Sequence, residues 1–276
     1  MRDSTRERRQ SGAFRDVNVG ILLALTAIVG STGFASARAA AQWQPSAGDT
    51  FQIQLQGEVD VSYDADVYDI DLFDSPKSLV AELHDLDRRV VCYMSAGTYE
   101  RWRPDAKRFP KKVLGQPLEE WPGERWLDVR VLKTLKPIMR DRVRRCARKG
   151  FDGIDFDNVD GFTNDTGFPL TRGDQLRYLR FLARAAHGHD LAAGLKNLPQ
   201  LAAELEPGWE FVVNEQCFQY EECDGYLAFI DAGKPVFNIE YELDLEDFCP
   251  QANGWGFTSQ RKDDDLGAPR EACWEQ

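Results

Sequence analysis

The sequence predicts a (β/α)8 TIM barrel, and three observations carry that expectation. Short apolar runs recur eight times after residue 50, separated by helical or loop segments, over about 230 residues. Polar and charged side chains gather at the C-terminal ends of those runs, the face on which such barrels hold functional groups. No glycine-rich phosphate turn follows the first run, which weighs against the rival architecture, a doubly wound open sheet.

The elements follow in chain order. Residues 1–41 carry six arginines, then an apolar run from Val19 to Val29, then the small residues Ala39-Ala40-Ala41. Basic head, short apolar middle and small-residue end describe a secretory signal peptide, too short to favour a retained membrane span. Cleavage after Ala41 would leave residues 42–276 as a single barrel domain and would move the formal charge from -12 to -15. Residues 51–55 and 67–72 alternate as strands. Residues 75–88 form a helix started by Ser75-Pro76. Residues 90–95 are a third strand, and residues 98–130 are expected to be a long aromatic loop. Residues 131–149 are a second long helix, ended by Gly150. The fourth strand lies in the run Gly150–Gly161, which alternates apolar residues with Asp152, Asp155, Asp157 and Asp160. A helix over 172–187 leads to a fifth strand over 191–195, and a short helix over 198–205 leads to a sixth over 210–214. A short helix near 226–230 precedes a seventh strand over 235–240. The eighth is expected at 255–259, with an irregular charged tail from Gln260.

Six cysteines, all after residue 41, predict three disulfides among fifteen possible pairings. The spacing suits Cys217–Cys223 within one loop and Cys249–Cys273 between the last strands and the tail, which leaves Cys92 with Cys146. No CxxC spacing and no paired histidines accompany them, so no zinc site is expected. The acidic excess argues against nucleic acid or an anionic membrane as partner.

Buried carboxylates are costly unless something needs them. The strand ends present Asp69 or Asp71, Tyr93, Ser95, Asp155, Asp157, Lys196, Asn197, Glu215 and Glu240. Acids from different strands meeting in one mouth suit glycoside hydrolysis, in which one carboxylate attacks or activates water and another protonates the leaving oxygen. Tyr93, Trp102, Trp126 and Tyr241 would stack on sugar faces, and Lys196 would hold an acid ionised. Asp152 and Asp160 read as local structure. Two other functions use the same acids: a carbohydrate-binding barrel without catalysis, and a metal-dependent phosphodiesterase. None of the three histidines falls at a strand end, which disfavours the second.

Several blocks resemble glycoside hydrolase family 114, the endo-α-1,4-polygalactosaminidases. They are Tyr93-Met-Ser95-Ala-Gly97, Trp102-Arg103-Pro-Asp105, Trp121-Pro-Gly-Glu124-Arg125-Trp126-Leu-Asp128, Lys149-Gly-Phe-Asp152-Gly, Asp157-Asn158-Val-Asp160-Gly161, Leu195-Lys196-Asn197, Asn214-Glu215-Gln216-Cys217 and Glu240-Tyr241. The resemblance implies an extracellular barrel that cuts α-1,4-linked galactosamine polymers without cofactor or metal. It places the catalytic pair at Asp157 and Glu215. By similarity to α-galactosidase barrels, Asp157 is the nucleophile and Glu215 the acid/base of a retaining reaction. Asp69, Asp71, Tyr93, Ser95, Trp126, Asp155, Asn158, Lys196, Asn197, Glu240 and Tyr241 are the expected substrate contacts. A monomer acting on an aminosugar polysaccharide is expected.

Overall fold

The computed structural model describes residues 42–119 and 121–275, so the predicted signal segment lies outside the described residues. Eight parallel strands form one curled sheet: β1 Phe51–Gln54, β2 Val67–Asp71, β3 Arg89–Ser95, β7 Gly153–Asp157, β8 Ala192–Lys196, β9 Phe211–Glu215, β10 Val236–Glu240 and β11 Thr258–Arg261. A ninth, antiparallel strand, β12 Glu271–Ala272, pairs with β11. The seam between β11 and β1 is closed by other means. Thr258 Oγ1 donates to the Asp49 carbonyl at 2.9 Å and Leu55 N to the Leu266 carbonyl at 2.9 Å. Gln52 Nε2 reaches the Ala268 carbonyl at 2.9 Å, and Arg270 Nη1 the Phe51 carbonyl at 3.0 Å. With helices on the outside, this is the predicted (β/α)8 barrel.

Strand alternation sorts the side chains into two buried sets. Phe51, Ile53, Val67, Val91, Ala192, Phe211, Val213, Phe237 and Ile239 cluster inside the barrel. Residues of the opposite parity, such as Ile70, Cys92, Ile154, Leu195, Val212 and Val236, pack against the helices. Gly194 is required at its position, because a Cβ there would lie 2.2 Å from the Phe211 ring that fills the barrel floor.

The helices are α1 Lys77–Asp85, α2 Leu132–Lys149, α3 Arg172–His187, α4 Pro199–Leu205, α5 Leu227–Asp231 and α6 Leu245–Trp255. Thr171 and Asp174 cap α3 reciprocally, and Gly150 ends α2 in the left-handed conformation at φ 96°. α6 was not expected: Pro250, Asn253 and Gly254 read as breakers, yet its apolar side, Phe248, Cys249 and Ala252, is buried. Trp255 therefore ends a helix, and the eighth strand begins three residues later. The tail is ordered, returning as β12 and tied by Cys249–Cys273.

The expected loop over 98–130 is instead a small antiparallel sheet, β4 Thr98–Glu100, β5 Leu114–Pro117 and β6 Glu124–Leu127, in the order β4-β6-β5. Its strands are three or four residues long and interrupted by Gly115 and Pro117, so alternation is too brief to read. Buried guanidiniums anchor it. Arg103 pairs with Asp71 and Glu100, each at 2.6 Å, and Arg142 with Asp105 at 2.9 Å and the Ser95 carbonyl at 2.7 Å.

All three disulfides pair as the spacing suggested, Cys92–Cys146, Cys217–Cys223 and Cys249–Cys273. The first links β3 to α2 across 54 positions, a loop whose closure is worth about 4 kcal/mol in chain-entropy terms.

Candidate active site

Three strands end on the residues that make the site. β7 ends on Asp157, β8 on Lys196 and β9 on Glu215. Each is followed by a residue in the left-handed region: Asn158 at φ 58°, Asn197 at φ 53° and Gln216 at φ 62°. Asparagine tolerates that region better than most residues. The chain therefore turns sharply just after each functional side chain, leaving it aimed into the barrel mouth. Glu215 shares the parity of Phe211 and Val213, so it belongs to the barrel-lining set and not to the helix face.

Lys196 is the centre of the cluster. Its ammonium lies 3.3 Å from Asp155 Oδ2, 3.3 Å from Asp157 Oδ1 and 3.5 Å from Glu215 Oε2, and its side chain is 2% exposed. The surrounding carboxylates hold it protonated against the cost of burial. Asp157 Oδ1 and Glu215 Oε2 can be no further apart than those last two distances laid end to end. For these two facing oxygens, that limit is compatible with the separation of retaining glycosidases, about 5–5.5 Å.

The other oxygens are held by neutral donors. Tyr93 Oη donates to Asp157 Oδ2 at 2.7 Å, and Asn158 Nδ2 to the same oxygen at 2.6 Å. Tyr241 Oη donates to Glu215 Oε1 at 2.5 Å. Burial and the adjacent carboxylates push both phenols well above their ordinary range, so they act as fixed donors. Asn197 Oδ1 accepts from the Glu215 backbone N–H at 3.0 Å. Tyr93, Asp157, Asn158, Lys196, Asn197, Glu215 and Tyr241 are thus brought together.

Six other expected substrate contacts are placed elsewhere. Asp155 lies on the same face as Asp157 but one alternation deeper, with no exposed surface, under Lys196. Burial pushes its carboxyl up to about 7, against the pull of the ammonium. Asp69 is equally buried, and burial with Asp155 nearby raises its carboxyl above the ordinary range. Asp71 is taken by Arg103 and by the backbone N–H groups of Phe73 and Asp74. Ser95 is buried against Thr98. Trp126 is only 9% exposed, its ring lying against Gly161. Glu240 shares the parity of Val236, faces the helix layer and accepts from Phe218 N at 3.0 Å. These side chains are buried within the protein. Trp102, by contrast, is half-exposed in the turn after β4.

The cleft itself, about 740 Å³, opens beside Glu215. Its described lining includes Asp160, Glu215, Glu221, Glu222 and Asp224, and no lysine or arginine. Tyr220, largely exposed, stands at its rim. The segment 216–224 was not expected to contribute, since no strand ends there. The Cys217–Cys223 link, which folds it back against β9, was the available signal. Among the described residues no His/Cys/Asp/Glu group is arranged to hold a metal ion. The Lys196 ammonium occupies the place between the carboxylates that a divalent cation would need.

A sequence model described as glycoside-hydrolase family GH114 matches residues 33–276. The crystal structure of Aspergillus fumigatus Ega3 in complex with galactosamine superposes with a TM-score of 0.81 and 41% identity, covering 86% of this chain and 100% of that one. The glycoside hydrolase domain of PelA from Pseudomonas aeruginosa superposes with a TM-score of 0.64 over 81% of this chain and 98% of its own; at 13% identity it bears on fold alone. An uncharacterized protein of Deinococcus radiodurans is 28% identical over 56% of this chain and 56% of its own length. This chain thus spans about half the length of that curated relative.

Proposed function

The chain belongs to glycoside hydrolase family GH114, and on that premise we propose that it cleaves α-1,4-linked galactosamine polymers internally, with retention of anomeric configuration. The observation that carries this reading is the pair Asp157 and Glu215, both aimed into the barrel mouth and bridged by one ammonium. Asp157 is the nucleophile. It attacks the anomeric carbon and forms a glycosyl ester as the glycosidic bond breaks. Glu215 is the acid/base: it gives its proton to the departing oxygen, then takes one from the water that hydrolyses the ester. An acid/base must meet both leaving group and water, and the Glu215 side chain is the more exposed of the two, 24% against 12%.

Tyr93, Asn158 and Lys196 keep Asp157 oriented. Substrate contacts are Tyr93, Asn197, Tyr241 and the acidic wall Asp160, Glu221, Glu222 and Asp224. That wall suits a polymer carrying ammonium groups. The galactosamine named with Ega3 supports the same substrate class. Residues 1–41 are a cleaved signal peptide, and the enzyme works outside the cell as one barrel domain. Among the described residues no helix is long and apolar enough to cross a membrane.

The test is reducing-end release from fully deacetylated and acetylated galactosaminan in parallel. The wild type is expected to cut the deacetylated polymer faster. Glu215→Gln is expected to lose about 10²–10⁴-fold on the polymer, the usual worth of general acid catalysis. It should lose far less on an aryl galactosaminide whose phenol leaves without protonation. Equal losses on both substrates, or no release of reducing ends by the wild type, would sink the assignment.

A further inference from the structure

Glu124, on β6 of the small sheet, has no part in the scheme so far, yet it lies directly behind the nucleophile. Its carboxylate is buried, and Oε1 accepts from the Thr98 hydroxyl and, at 3.2 Å, from Asn158 Nδ2. Thr98 is itself hydrogen-bonded to Ser95. The same Asn158 nitrogen donates to Asp157 Oδ2 at 2.6 Å. An amide nitrogen has two N–H groups. Here one goes to Asp157 and the other to Glu124, with the Ser95 and Thr98 hydroxyls at 3.4 and 3.3 Å as weaker neighbours. Both carboxylates are acceptors, so the nitrogen must face them and the amide cannot turn over.

The backbone is fixed as tightly. Ala96 N and Gly97 N both donate to the Asp157 carbonyl, at 2.9 and 3.1 Å. A Cβ on Gly97 would sit 1.5 Å from the Asn158 carbonyl oxygen, so only glycine permits this approach. The small sheet is attached at this same turn, since Leu127 N donates to the Gly97 carbonyl at 2.9 Å.

We infer that Glu124 is a positioning residue for the glycosidic reaction, acting on the Asp157 carboxylate through the Asn158 amide. This rests on the reading of Asp157 as nucleophile. It gives the small sheet a catalytic purpose: it delivers a second carboxylate that clamps the amide from behind. The clamp is sensitive to pH. Burial pushes the Glu124 carboxyl up to about 7, and the charges of Asp157 and Glu100 add to this, while the Thr98 hydroxyl and Arg103 oppose it. Tyr93 also faces it from β3, and Arg142 on α2 reaches the neighbouring Glu100. Ionised Glu124 draws the amide more strongly than the protonated acid does, and it sets a like charge behind the nucleophile.

The experiment measures kcat and KM on deacetylated galactosaminan across pH 5–9 for the wild type, Glu124→Ala, Glu124→Gln and Asp157→Asn. Glu124→Ala is expected to lower kcat by about 10-fold or more, toward the 10² that a 1 Å misplacement costs, with KM within about twofold of the wild type. Glu124→Gln can still accept the Asn158 N–H but cannot ionise. It is expected to recover most of that loss and to lack the kcat step expected of the wild type near neutral pH. Glu124→Ala with wild-type kcat, or a Glu124→Gln profile that superimposes on the wild type, overturns the inference. If Glu124→Ala does not fold, the Glu124→Gln profile decides alone. An active Asp157→Asn would mean instead that the reading of the nucleophile is wrong.

Discussion

Replacing Asp157 with asparagine is expected to lower kcat/KM on galactosaminan by about 10⁴-fold or more, equivalent to about 5.4 kcal/mol of transition-state stabilisation. The amide is nearly isosteric and can still accept from Tyr93 Oη, which holds Oδ2 at 2.7 Å. Packing is therefore preserved, and the thermal transition should move by only a few degrees. The chemistry is not preserved. An amide forms no stable glycosyl ester and supplies no charge against the oxocarbenium-like transition state. The loss should fall on kcat. Azide offers a positive control on the role. With Asp157→Ala it is expected to enter from the vacated face and give the β-glycosyl azide. Activity above about a tenth of wild type in Asp157→Asn would exclude Asp157 as nucleophile.

The second large effect is expected from Lys196→Met. Methionine fills similar volume, but the substitution removes the cation that lies within 3.5 Å of Asp155, Asp157 and Glu215. Breaking a buried ion pair from one side costs about 3–5 kcal/mol, because the remaining charge is left uncompensated. The sign with pH is fixed by Asp155. Its folded pKa is raised, to about 7 even with the ammonium present, and it rises further without it. A protonated Asp155 needs no cation. The variant's deficit should therefore be small near pH 5 and grow as pH rises through 7, where the folded protein must either hold the proton or bury the charge. Lys196 itself is held protonated across this window, so in the wild type the ammonium is in place at every pH tested. Adding Asp155→Asn to Lys196→Met should restore part of the lost stability, a coupling of about 1–3 kcal/mol. Urea unfolding of the wild type, Lys196→Met, Asp155→Asn and the double variant at pH 5 and 7.5 measures this. A deficit under about 1 kcal/mol, or one that does not change with pH, would show that the lysine does not neutralise the carboxylates.

Much of this arrangement was legible in the chain. The alternation in β7 puts Asp155 and Asp157 on one face, and the runs that end on Lys196 and Glu215 mark the neighbouring strand ends. Depth was not legible. Asp157 falls where the strand opens and reads as the catalyst, but that Asp155, two residues earlier, is wholly buried follows only from the stagger of the closed barrel. Parity would have corrected Glu240, which follows Val236 and Asn238 toward the helices while Phe237, Ile239 and Tyr241 line the barrel. Asp71 lost its expected role to Arg103, a partner 32 positions away that no local pattern announces. The small sheet was hidden by Gly115, Pro117 and Pro122, and with it the link from Glu124 to the nucleophile. The run Trp121–Asp128 stood out in the sequence, but its purpose depends on which carboxylate it delivers and where.

Retention is the claim on which the two-carboxylate scheme stands, and the configuration of the newly formed reducing end tests it most directly. Proton NMR of a deacetylated galactosamine oligomer, recorded during the first minutes of cleavage and before mutarotation, resolves the two anomers. The α-anomer is expected to appear first and the β-anomer only later, as the product equilibrates. A β-anomer that appears first would mean that water attacks directly, that Asp157 acts as a base, and that the two carboxylates do not work as a retaining pair.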